Sequence, residues 1–222
     1  MRFPDKSYED MKRPGLLVAV WLCILPLGLL SAAERAPVQI GMVLVASEEM
    51  KDPRFQETVI LIIQHGNGGT VGLIVNKPSD VPLTHALPML DRLPEGAEYV
   101  YVGGPVQFRT AMSLLIRSDS APPGAVRIFD DVYATSGYNN VGRIVSAARE
   151  KDAVRTFGGY AGWAPGQLDA EIARGGWLLF EAEANAIFAS DPADVWRNYI
   201  DESGGSWDWV MLDEAGGILR LG

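Results

Sequence analysis

Apolar positions along the chain follow two rhythms. Residues 38–46 are a mostly apolar run suited to a strand that starts the core, and 58–63 are β-branched and apolar throughout, the pattern of a strand covered on both faces. Gly66-Asn67-Gly68-Gly69 marks a tight turn and residues 70–76 return as a strand, so this stretch predicts an antiparallel hairpin. Pro78 and Pro82 close that unit. Further strands are expected at 99–102, 111–116, 126–129, 132–135, 154–160 and 177–180. The second rhythm is helical. Within 140–149, Val141, Ile144, Val145 and Ala148 recur at i, i+3, i+4 and i+7. Pro165 suits the first turn of a helix to Arg174, with Leu168 and Ile172 inward and Gly175-Gly176 as its stop. Asp191-Pro192 opens a last helix facing Val195, Trp196, Tyr199 and Ile200 inward, and 84–90 predicts a short one.

Strands and helices alternate without the regular βαβ rhythm, and several neighbouring strands are joined by turns too short for a parallel crossover. The expectation is one α/β (α+β) domain, a mixed sheet flanked by helices. There is no long repeat, heptad or interdomain linker.

Residues 1–33 stand apart. Lys12 and Arg13 precede an uncharged apolar run at 16–30, followed by Ser31-Ala32-Ala33, the order of an export leader. The run is shorter than the roughly 20 residues that span a bilayer, and Pro26 breaks its helix before the small residues. Met11 offers a second, cleaner start for such a leader. A retained anchor helix and a mis-assigned start are the alternatives; the latter would leave the protein in the cytoplasm. The expectation is export to the periplasm, with a domain at 34–222 and no stable membrane span after cleavage.

Charge narrows the partners. The 222 residues hold 19 basic and 28 acidic side chains, a net charge of -9. Such a protein is repelled by phosphate backbones, which disfavours nucleic acid. The single cysteine, Cys23, lies in the leader, so the domain has no disulfide, thiol nucleophile or thiolate metal site. No Gly-x-Ser-x-Gly elbow, P-loop or dinucleotide fingerprint occurs. His65 and His85 are twenty residues apart, so no metal, cofactor or catalytic residue is assigned. Arg143, Arg149, Lys151 and Arg155 gather around one helix, but Glu150 and Asp152 interleave them, as on a solvated charged face.

Three segments carry more information. The first is Asp52-Pro53-Arg54-Phe55, continuing to His65 and through Gly72-Leu73-Ile74-Val75-Asn76-Lys77-Pro78. The second is Gly103-Gly104-Pro105-Val106. The third is Gly159-Tyr160-Ala161-Gly162-Trp163, then Pro165-Gly166-Gln167-Leu168, Glu171-Ile172 and Trp177-Leu178. In this order and spacing they resemble the YqgE/AlgH family of bacterial proteins, over about residues 41–196. The resemblance implies an α/β domain with a bent, partly barrel-like sheet surrounded by helices. It implies no established activity. The transcriptional-regulator label attached to the family comes from a genetic association with alginate production, and no DNA-reading motif accompanies it here. Family members are generally cytoplasmic and lack a leader, and residues 201–222 diverge from the pattern.

Read as chemistry, Asp52, Arg54, Asn76, Lys77, Gly103, Gly104, Tyr160, Gly162, Trp163 and Gln167 could line a shallow pocket for a small molecule or protein. Tyr160 and Trp163 offer flat amphipathic faces, and the glycines allow close backbone approach. The structural alternative has Trp163 filling the core and the glycines fitting a bent sheet. The expectation is a non-catalytic binding or interaction protein. The alternatives are an enzyme assembled from Asp52, Arg54, His65 and Asn76, or the regulator of the family label.

Overall fold

The computed structural model describes residues 37–189 and 191–202, with the backbone of 211–212 and 218–219. The expected leader lies outside the described residues. The elements run β1 (Met42–Ala46), β2 (Val59–Gly66), β3 (Gly69–Ile74), β4 (Pro78–Pro82), α1 (Leu83–Ala86), β5 (Tyr99–Val102), β6 (Met112–Arg117), β7 (Val126–Phe129) and β8 (Val132–Ser136). Then come α2 (Tyr138–Ala147), β9 (Ala153–Gly158), β10 (Ala161–Trp163), α3 (Gln167–Ala173), β11 (Trp177–Glu181), α4 (Ala184–Ile187) and α5 (Pro192–Glu202). The short strands β12 (Met211–Leu212) and β13 (Ile218–Leu219) pair with each other.

Two larger sheets form, ordered β10-β3-β2-β1-β11 and β4-β5-β9-β6-β8-β7. Side-chain alternation shows why the apolar runs are unbroken. Met42, Leu44 and Ala46 of β1, with Ile60 and Ile62 of β2, join Leu168 and Ile172 of α3 in one cluster. Their neighbours Val43, Val45, Val59 and Leu61 face the other way, meeting Tyr101, Leu115 and Phe157 of the second sheet. On the far side of that sheet Met112, Leu114 and Ile116 pack against Val141, Ile144 and Val145 of α2. The layers are therefore helix, sheet, sheet, helix. Neither face of β1, nor of β2 from Val59 to Ile62, is left for solvent, so no polar alternation is needed there. Helices α4 and α5 close the central layer with Ile187, Val195, Tyr199 and Ile200.

The hairpin forms as expected, with Gly66 opposite Gly69 across Asn67-Gly68 and a bulge between Ile62 and Gln64. The mixed character rests on one parallel pair, β5 with β9. Other expectations need correction. The expected mixed sheet divides into two larger ones, because the run 154–160 is interrupted: β9 ends at Gly158 and β10 begins at Ala161 in the other sheet. Gly159 makes that crossing at φ 71°. Pro78 and Pro82 do not merely end a unit. They lie in edge strand β4, where a missing N–H is tolerated and foreign strands are discouraged. The strand expected from residue 38 starts at Met42, since Gly41 turns the chain at φ 86°. The helix at 84–90 shrinks to one turn, stopped before Pro88.

Candidate functional site

The family segments meet in space, and they do so by binding one another. Asp52 and Arg54 form an ion pair that closes their own turn, the Arg54 Nη2 lying 2.6 Å from Asp52 Oδ2 with most of its side chain exposed. Asn76 is only 6% exposed. Its Nδ2 donates to the Glu57 carbonyl (2.9 Å) and its Oδ1 accepts from the Val59 N–H (2.9 Å). Glu57 sits at φ 54°, so one amide side chain secures both polar groups of a strained turn. Lys77 Nζ donates to the Gln56 carbonyl at 3.1 Å. The loop at 50–57 is thereby clamped to the start of β4.

The glycine segments also touch. Gly103 N–H donates to the Gly158 carbonyl (2.8 Å), and its own carbonyl accepts from Ile74 N–H (2.9 Å). Val106 and Tyr160 exchange both backbone hydrogen bonds. Gly104 runs against the Tyr160–Ala161 peptide with no room for a side chain. Gly162 lies beside the Tyr160 ring.

Trp163 is in the core. Its ring stacks on Phe55 (centroids 6.4 Å apart) and meets Trp177 edge-on (6.0 Å), while Phe55 meets Trp177 at 5.6 Å. Rings in mutual contact leave no slot for a ligand between them. Glu171 completes the cluster: Oε2 accepts from both indole N–H groups, Trp163 at 2.9 Å and Trp177 at 3.0 Å. Gln167 Nε2 donates to Oε1 at 3.0 Å, and Gln167 Oε1 accepts from Ala164 N–H. Glu171→Ala would leave two buried indole donors without an acceptor. We expect it to cost about 2–3 kcal/mol, read as a lower urea midpoint with a changed tryptophan emission spectrum. An unchanged midpoint would mean that water replaces the carboxylate.

Asp52, Arg54, His65 and Asn76 are not brought together. His65 Nδ1 lies 2.8 Å from Thr70 Oγ1 near the hairpin turn. Asn76 holds Val59 at the other end of β2, roughly 20 Å away at the usual rise per residue. The basic group around α2 also divides. Arg149 and Lys151 are on the charged face as expected. Arg155 is instead buried and donates to the carbonyls of Val75 (3.2 Å), Ile187 (2.6 Å) and Ala189.

One open concavity was not legible in the sequence. A groove of about 410 Å³ runs between α2, the end of β6 and the loop at 118–124. Ile116, Ile144 and Ala148 line it together with Pro122 and Pro123, and Arg143 and Arg149 border it. Arg149 is paired with two carboxylates of its own protein: Asp152 binds it in fork fashion (Nε to Oδ2 3.0 Å, Nη2 to Oδ1 2.8 Å), and Ser118 and Asp119 add further bonds at Nη2. Hydrogen bonds from Lys151 and then Arg149 lower the Asp119 carboxyl to about 2. The folded value lies below the ordinary 3.8, so this tie is complete above about pH 4 and is lost only as pH falls toward 2. A carboxyl-detected NMR titration should place its midpoint near there, and a midpoint of about 4 would show the cluster open in solution. Arg143 differs. Its Nη2 donates to the Pro123 carbonyl (3.2 Å) and Asn140 Oδ1 (3.1 Å), and no carboxylate among the described residues pairs with it. Among the described residues no group of three metal-ligating side chains occurs, and no helix is long and apolar enough to cross a membrane.

The chain is similar to known proteins. A family model described as AlgH-like matches residues 43–208. A UPF0301 protein of Mycobacterium marinum is 34% identical over 175 residues, 74% of this chain and 82% of its own. One from Chlorobaculum tepidum is 32% identical over 171 residues, 77% and 89% of the two chains. Two solved structures are similar. The crystal structure of a Corynebacterium diphtheriae protein has TM-score 0.64 and 27% identity, covering 75% of this chain and 88% of that one. The solution structure of the AlgH protein from Pseudomonas aeruginosa has TM-score 0.60 and 26% identity, covering 77% and 92%. The interlocked glycine, tryptophan and asparagine segments thus lie in a shared fold, and the chain belongs to the AlgH-like (YqgE/AlgH) family, whose biochemical function is not established.

Proposed function

We propose that this chain is an exported, non-catalytic binding protein whose motif residues form a rigid frame and whose contact surface is the groove beside α2. The observation that carries the binding reading is the internal use of the motif side chains. Asn76, Trp163, Gln167 and Glu171 make their hydrogen bonds within the protein, and no acid, base and nucleophile converge among the described residues. The groove, by contrast, joins an apolar floor to a guanidinium with unused donors. Export is supported by the order of charges, apolar run and small residues at 12–33.

The two halves are tested separately. Cell fractionation with mass measurement of the N-terminus should find a chain beginning near Glu34 outside the inner membrane. The intact 222-residue chain in the cytosol would sink the export half. For the binding half, amide shifts during titration with envelope metabolites should concentrate at 116–124 and 140–152. Shifts centred instead on the Trp163 cluster would relocate the site and overturn this reading.

A further inference from the structure

We infer that the α2 groove takes an aliphatic monocarboxylate of medium length, its carboxylate held by Arg143 and its chain lying on Ile116, Ile144 and Ala148; this rests on the groove being the contact surface. Of the two guanidiniums bordering the groove, Arg149 is already neutralised by two carboxylates, Asp152 across Nε and Nη2 and Asp119 at Nη2, whereas Arg143 has none among the described residues. Lys151 is paired with Asp119. Arg143 is the cation left for a ligand. Only its Nη2 has partners within the protein, so Nε and Nη1 keep their donors for an incoming anion. Its direction is fixed as well. Gly124, at φ 79°, leaves the space in which Nη2 rests against the loop, where a Cβ would come within 3.0 Å of it. A guanidinium held in place before binding loses less freedom when a carboxylate docks.

The floor sets the rest of the ligand. Ile116 of β6, Ile144 of α2 and Ala148 at the end of α2 are buried, and the proline pair presents a rigid apolar wall. At roughly 30 Å³ for a water-sized group, the groove holds on the order of a dozen heavy atoms. That suits a carboxylate with a chain of about ten carbons. Asp152 is occupied by Arg149, so an amine finds no free acid among the lining residues. The net charge of -9 opposes a polyanion at long range but tolerates a single charge at a local cation.

The test uses the purified full chain titrated with sodium decanoate below its micellar range and followed by amide NMR. Saturable shifts are expected at 116–124 and 140–152. Arg143→Gln should weaken decanoate about tenfold, and Arg143→Lys should fall between the two. Ala147→Phe should obstruct the groove without altering its charge. Decylammonium should bind at least about tenfold more weakly than decanoate. Equal binding by Arg143→Gln, or shifts outside the groove, would overturn the assignment. If decanoate fails while decylammonium or decanol shifts the groove residues, the ligand class falls and the contact surface stands. If none of the three shifts them, both fall.

Discussion

Arg155→Met is expected to lower the stability of the domain by about 3 kcal/mol, as a reduced urea midpoint with unchanged slope. The magnitude follows from what the side chain does. Arg155 is 6% exposed, in the middle of β9, on the face turned toward the other sheet. No carboxylate reaches it among the described residues. Its guanidinium donates to the carbonyls of Val75, Ile187 and Ala189, and lies 4.7 Å from the centre of the Tyr101 ring. These contacts join segments separated by 80, 32 and 34 residues. Methionine fills a similar volume and removes a desolvated charge, which offsets part of the loss. It also leaves three carbonyls without their donor, at about 1–3 kcal/mol for each that water cannot reach. Arg155→Lys keeps the charge but not the planar fork, and should fall between. Arg197→Gln is the control, since its 3.5 Å pair with Asp194 is exposed on both sides and surface pairs contribute about 0–1 kcal/mol. A midpoint for Arg155→Met within error of the parent would mean that burying the cation costs as much as its bonds return.

Arg155 also shows where sequence reading stops. Beside Val154 and Thr156 it looks like the solvent-side member of an alternating strand, and it clusters in sequence with Arg149 and Lys151. The alternation rule assumes one wet face. Here the sheet is covered on both sides, so the residue opposite the helix face enters the central layer. What depends on local pattern was legible: the Asn67-Gly68 hairpin, the apolar stripe of α2 and the glycine stop after α3. What depends on distant partners was not. The prolines of β4 read as breakers because the edge position that tolerates them is a property of the sheet. The partners that occupy the candidate residues are far along the chain: Glu57 for Asn76, nineteen residues back, and the Val106 backbone for Tyr160. The α2 groove left almost no trace, because its two walls are separated in sequence by β7 and β8.

Gly104→Ala is expected to cost about 4 kcal/mol or more and to remove most of the soluble, cooperatively folded protein. A Cβ at this position would lie 2.1 Å from the carbonyl carbon of Tyr160 and 2.3 Å from the Ala161 nitrogen. Those atoms are backbone, so no rotamer change relieves the clash. They also lie where the chain, after the two-residue passage Gly159-Tyr160 from β9, enters β10. The neighbouring contacts are equally tight, with Cβ atoms at Gly103 and Gly159 meeting the Gly159 and Gly104 carbonyl oxygens at 2.4 Å and 2.6 Å. Moving Gly104 away would break the paired bonds between Val106 and Tyr160 and pull the 103–106 loop from the seam between the sheets. Gly162→Ala provides the contrast. Its Cβ would meet only the edge of the Tyr160 ring, at 3.3 Å, and a ring can shift. That variant should stay within about 1 kcal/mol of the parent. Thermal denaturation of the pair decides between two views of the glycines. A large loss at Gly104 with a small one at Gly162 makes the glycine segment the joint that lets two sheets share one chain; equal and small losses would mean that the joint has slack, and that the close approach serves something other than the fold.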